Sequence, residues 1–143
     1  MKPSPKDKLN QKDQEKYLQL QMMSQQIKAT QEQLISLDKQ EQQLIDTLET
    51  LEVFKQSQIN SEILTPVATG IFAKAELKNN TNLIVNVGAN TAVEMNIEHT
   101  KELIFTQIEE VKKVHEQLSG DLQKLGTEAH KLEHEVHGTE CHH

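Results

Sequence analysis

The residues best equipped for chemistry gather near the C-terminal end. His130, His134 and His137 stand at i, i+4 and i+7, one outer face of a helix, and Cys141, His142 and His143 follow. Imidazole and thiolate groups so spaced can ligate Zn²⁺ or Ni²⁺. A resident metal needs a closed set of rigid ligands, and these residues fall on outward positions at the end of a helix, so no metal centre is expected, and adventitious binding at most. Glu109-Glu110 are adjacent carboxylates on a solvated helix surface, a poor setting for general acid/base work. Gly120 and Gly126 lie within a helical pattern and lack the Lys-Ser/Thr ending of a phosphate loop. Asn79-Asn80-Thr81 matches a glycosylation acceptor but reads as turn chemistry. No nucleophile, acid/base pair or cofactor loop emerges, and the chain is expected to be no enzyme and to need no cofactor.

Composition narrows the class further. Of 143 residues, 35% are hydrophobic and only 3% aromatic, against roughly 45–50% apolar in ordinary domains, glycine included. Such a chain cannot fill a thick layered core. With 5 Gly, 3 Pro and 1 Cys it has little punctuation for a loop-rich or disulfide-stapled fold. A long, thin helical protein is expected. The net charge is -7 and all 15 basic residues are lysines, which argues against nucleic acid, where arginine forks read bases and phosphates. No run approaches the ~20 apolar residues of a membrane span. The polar start Met1-Lys2-Pro3-Ser4-Pro5 leads into no signal core, and one cysteine suits a reducing compartment. A cytoplasmic location away from membranes is therefore expected.

The elements follow from periodicity. Residues 6–58 contain 13 Gln and no Gly or Pro. Within them Leu20, Ile27, Leu34, Glu41 and Leu48 form one heptad row and Met23, Thr30, Leu37, Leu44 and Leu51 another. Near the other end Ile97, Ile104, Val111, Leu118, Leu125 and Leu132 form a row, with Lys101, Ile108, His115, Leu122, Ala129 and Val136 beside it. Alternating steps of three and four are the seam of a left-handed coiled coil. Each helix has a stripe and little else apolar, so neither buries its seam alone. At ~1.5 Å per residue both reach ~70–75 Å, and the economical solution is an antiparallel pair. Two helices zipping with other chains is the alternative. The polar seam residues Thr30, Glu41, Lys101 and His115 read as register markers, or, for Thr30, Glu41 and Lys101, as exposed breaks in the seam.

Between the helices, residues 63–67, 71–77, 83–87 and 91–95 have strand character, separated by Ala68-Thr69-Gly70, Lys78 to Asn82, and Gly88-Ala89-Asn90. Two β-hairpins are expected. Pro66 belongs on an edge or at a strand start. Isolated hairpins are marginal in water and expose their edges, so this insert is expected to pair with the same kind of hairpin from other subunits. Val67, Ile71, Phe72, Leu77, Leu83, Ile84, Val85, Val87 and Val93 are the expected contact residues. The chain thus divides into an N-terminal coil helix (1–58), a double hairpin (59–95), and a C-terminal coil helix with a His-rich tail (96–143). The fold class is mainly α with a small β insert.

The seam weakens toward the termini. Asp13 and Lys16 occupy seam positions, Leu9, Tyr17, Leu18 and Met22 scatter over other faces, and Gly120 and Gly126 each cost ~1 kcal/mol relative to Ala. Fraying at chain ends accounts for this. So does an end built to loosen and offer apolar side chains to another molecule.

Two heptad helices flanking Thr65-Pro66-Val67-Ala68-Thr69-Gly70-Ile71-Phe72-Ala73-Lys74-Ala75-Glu76-Leu77 and Leu83-Ile84-Val85-Asn86-Val87-Gly88-Ala89-Asn90-Thr91-Ala92-Val93-Glu94-Met95 resemble the prefoldin α-class subunit, especially its archaeal form. Two linking hairpins mark the α class. Asn90 departs from the glycine often found there, and the tail from Gly138 to His143 has no counterpart. The resemblance implies a hexamer of two α and four β-class subunits, joined as a double β-barrel made from the hairpins, with coils as tentacles. It also implies an ATP-independent holdase that grips non-native polypeptides and passes them to a group II chaperonin. Many weak grips gain by effective concentration, and methionine suits promiscuous surfaces. The expected client-facing residues are Leu9, Tyr17, Leu18, Leu20, Met22, Met23, Leu125, Leu132 and Val136. An oligomeric coiled-coil scaffold holding specific native partners is the rival reading.

Overall fold

The protein is seen in a computed structural model that describes the backbone of residues 5–140 and the side chains of residues 11–136. The element order is α1 (Pro5–Gln56), β1 (Glu62–Ala68), β2 (Ile71–Glu76), β3 (Asn82–Gly88), β4 (Thr91–Asn96) and α2 (Ile97–Glu140). The chain falls into two compact units: residues 1–39 with 112–143, and residues 40–111.

In the first unit the two helices run antiparallel. Lys16 Nζ meets Glu135 Oε2 at 3.6 Å and Asp38 Oδ1 meets His115 Nε2 at 3.0 Å, so the partner on α2 moves back as α1 advances. The second unit repeats the arrangement, with Lys101 paired to Glu52 and Lys55 Nζ 2.8 Å from Glu98 Oε1. Every residue of the heptad rows is half-buried or buried, whereas Leu18, Met22, Ile35 and Val53, which lie off the rows, are exposed. The polar seam residues are accommodated individually. Thr30 is buried because its hydroxyl donates to the Gln26 carbonyl at 2.8 Å, one turn back on its own helix. Lys101 is 9% exposed and lies between Glu52 and Glu98, an ion pair that marks one register.

The turns set the register of the sheets. Both are two-stranded and antiparallel, β1 with β2 and β3 with β4. Thr69-Gly70 closes the first, with Gly70 at φ 78°; Ala89-Asn90 closes the second, with φ 49° and 58°. Two successive positive φ values make a type I′ turn, whose twist matches that of the strands. Each register slips once, between Pro66 and Ala68 and between Asn86 and Gly88, leaving Val67 and Val87 in bulges. Pro66 lies opposite Phe72 in a strand that is itself an edge, where a missing donor is tolerated.

The connectors are fastened by polar groups. Asn80 Nδ2 donates to the Ser57 carbonyl at 3.0 Å, tying the link between the hairpins to the end of α1. Asn79 Oδ1 accepts from the Thr81 and Asn82 amides, an Asx turn. Asn96 caps α2, its Oδ1 accepting from the His99 amide at 2.7 Å, with Glu98 in the first turn; both features favour a helix start.

Candidate interaction surfaces

The core of the second unit is a narrow cluster of Leu51, Ile104 and Ile108, joined by Leu44, Ile45, Leu48 and, from β3, Leu83. Leu83 thereby anchors the second hairpin to the helices. The first hairpin closes at its own base. Leu77 is buried, its amide donates to the Ser61 carbonyl at 3.0 Å, and its own carbonyl accepts from the Asn60 amide at 2.6 Å. Leu77 is therefore covered within the subunit and does not belong with the exposed contact residues expected beside it.

Beyond these anchors the hairpins leave apolar side chains uncovered. Register places Leu64, Pro66, Phe72 and Lys74 on one face of the first hairpin. Phe72 is 58% and Leu64 64% exposed. Ile71, on the opposite face, and Val67 in its bulge are exposed as well. In the second hairpin Leu83, Val85 and Met95 are half-buried on one face, while Ile84 on the other is 80% exposed; Val87 and Val93 are also exposed. Leu64 joins the expected contact residues: it alternates with Pro66, which lies across from Phe72, and that alternation is its signal in the sequence. Patches of exposed apolar side chains on short sheets with open edges are the surface expected of an interface.

In the first unit the expected client-facing residues divide into two groups. Tyr17, Leu18 and Met22 are exposed, and Leu18 and Met22, one turn apart, share a face. Leu20, Met23, Leu125 and Leu132 are half-buried in the seam, and Val136 is buried. Val136 is thus a seam residue of a closed pair, which a side chain offered outward is not. Leu9 lies outside the residues with described side chains. His130 and His134 are exposed; the His137 side chain, Cys141, His142 and His143 lie outside the described residues. No group of three or more metal-ligating side chains occurs among the described residues. His115 faces Asp38, with its Nδ1 3.5 Å from Ser119 Oγ, a pairing across the seam. Among the described residues no helix is long and apolar enough to cross a membrane.

Comparison with known proteins agrees with this architecture. The model of the prefoldin family, described as prefoldin subunit, matches residues 7–139. A prefoldin subunit alpha of Methanococcus vannielii is 31% identical over 130 residues, covering 81% of this chain and 87% of the relative. One from Archaeoglobus fulgidus is 28% identical over 123 residues, covering 86% and 90%. A solved structure of filamentous PFD from Methanocaldococcus jannaschii superposes with a TM-score of 0.73 at 20% identity, over 79% of this chain and 93% of that one, a likeness of fold. Paired heptad helices joined by two bulged hairpins, matched over almost their whole length by the family model, place this chain in the prefoldin family.

Proposed function

We propose that the chain is an α-class subunit of a cytoplasmic prefoldin-type holdase. It acts without ATP and without a cofactor, capturing unfolded polypeptides beside Tyr17, Leu18 and Met22 of the helix pair. The observation that carries the reading is the exposed Tyr17, Leu18 and Met22 beside a seam whose neighbouring positions are Asp13 and Lys16. Apolar side chains there cost free energy in water and are repaid when a client covers them, at ~25 cal/mol per Å² of apolar area buried. Each grip is weak, so several arms must act together. The hairpins are the means of gathering them. Val67, Ile71, Phe72, Ile84, Val87 and Val93, with Leu64, would pack against β-class subunits in a hexamer of two α and four β chains, with Leu83 and Val85 holding the hairpin in place. Release to a group II chaperonin completes the cycle.

A scaffold that clasps specific native partners is the competing reading. It is favoured by the closed end of the first unit, where Val136 is buried and Lys16 meets Glu135. Diluting a denatured enzyme into the assembled complex, without nucleotide, and following light scattering separates the two. The holdase suppresses scattering at a few-fold excess. Removing residues 1–20 and 127–143 abolishes the protection and leaves the native mass of the shortened complex at the same stoichiometry. Full aggregation with the intact complex would overturn the holdase reading.

A further inference from the structure

The two flanks of the seam in the first unit differ in chemistry. On one flank Asp38 meets His115 across the helices, and on the other Lys16 meets Glu135 at 3.6 Å. The other flank of α1 carries Gln19, Gln26 and Gln33, one residue per heptad, all exposed. These positions ordinarily hold charges that pair across a coiled coil. Here neutral amides stand opposite acids of α2. Gln26 and Gln33 line one wall of an open trough of about 500 Å³. Asp121, Glu128 and a single Lys124 line the other, and Leu125 lies along it. No ion pair involves Asp121 or Glu128 among the described residues.

We propose that this trough is a docking groove for an extended segment of non-native polypeptide bearing lysine or arginine among apolar residues. The proposal deepens the holdase reading and rests on it. Amides at intervals of ~10.5 Å, seven residues of helix, offer both donors and acceptors to a backbone whatever side chains it carries. That meets the need of a protein whose clients share no sequence. Leu125 supplies apolar contact. Two carboxylates against one ammonium give the groove a surplus of negative charge, which favours basic side chains and disfavours acidic ones. The groove therefore adds charge selectivity to a grip that apolar contacts alone leave indifferent.

The test uses the full-length chain in its native assembly. The probes are three fluorescent unstructured peptides of one apolar pattern, with Lys, Gln or Glu at the polar positions, and binding is read by anisotropy. The Lys peptide is expected to bind about fivefold tighter than the Gln peptide, the scale of two screened ion pairs, and the Glu peptide weakest. The preference shrinks as salt shortens the Debye length. Asp121→Asn with Glu128→Gln removes the preference and leaves the Gln peptide within about twofold. Gln26→Ala with Gln33→Ala weakens all three by a similar factor. Equal binding of the three peptides by a complex that still suppresses aggregation overturns this proposal alone. So does a preference that survives the Asp121→Asn, Glu128→Gln change, or a Gln26→Ala, Gln33→Ala variant that binds as the parent does. A parent complex that binds none of the peptides and suppresses no aggregation overturns the holdase reading and this one together.

Discussion

Ala89 holds a backbone conformation that its side chain disfavours. Its φ of 49° lies in the left-handed region, where a residue with a Cβ is strained by ~1–2 kcal/mol. Its neighbour Asn90, at φ 58°, tolerates that region better through its short polar side chain. The turn type demands both values, so the cost falls on the alanine. Ala89→Gly should relieve it and raise unfolding stability by about 0.5–1 kcal/mol, read as a higher thermal midpoint. Gly88 is the converse case. At φ 113°, with nothing within 4 Å of the Cβ it would gain, Gly88→Ala should destabilise through backbone strain alone, by about 1–2 kcal/mol. Equal midpoints for the parent and both variants would show that the turn is not held in this geometry.

Among the elements, α2 carries two glycines that packing does not require. A Cβ built on Gly120 or Gly126 would meet nothing within 4 Å, and glycine in a helix interior costs ~0.8–1.0 kcal/mol relative to alanine. Gly120→Ala and Gly126→Ala should each stabilise the helix by about that amount and slow amide exchange between Leu118 and Leu125. If capture needs the pair to loosen there, the doubly substituted chain will also suppress aggregation less well. How far these elements are legible in sequence depends on the physics behind each signal. Every residue of the heptad rows is at least half-buried because a two-helix pair has one main stripe to bury, and the period survives Thr30, Lys101 and His115, while Ile45 and Thr100 join the packing from positions beside the rows. The strands were found to within a residue or two, since Gly70 and Ala89-Asn90 mark the turns. Leu77 is buried within the subunit, beside the Asn60 and Ser61 backbone bonds that close the hairpin's base, and its place at the end of an alternating strand gives no sign of that burial. Val136 was read as an outward grip although its row already placed it in the seam; proximity to a terminus outweighed the period, and the period was the better guide.

For the molecule as a whole, the net charge and the exposed apolar surface of the hairpins fall in one unit. Residues 40–111 hold four lysines against eleven acids, which is the entire net charge of -7; the other residues hold eleven of each. The hairpins belong to that acidic unit, so the association proposed for them requires apolar contact strong enough to outweigh like-charge repulsion wherever two copies meet. Phe72→Asp with Ile84→Asp should therefore disperse the assembly to the 16.3 kDa chain by light scattering, while far-ultraviolet circular dichroism keeps its helical signal. Loss of helicity would mean instead that the hairpins support their own subunit. Before assembly, each hairpin has two strands and no third to cap them. A freshly synthesised copy thus leaves the ribosome with uncapped backbone donors and acceptors that will accept any strand that reaches them first. Surplus copies can pair with one another through these edges, so overproduction of this chain alone in a foreign host should end in inclusion bodies.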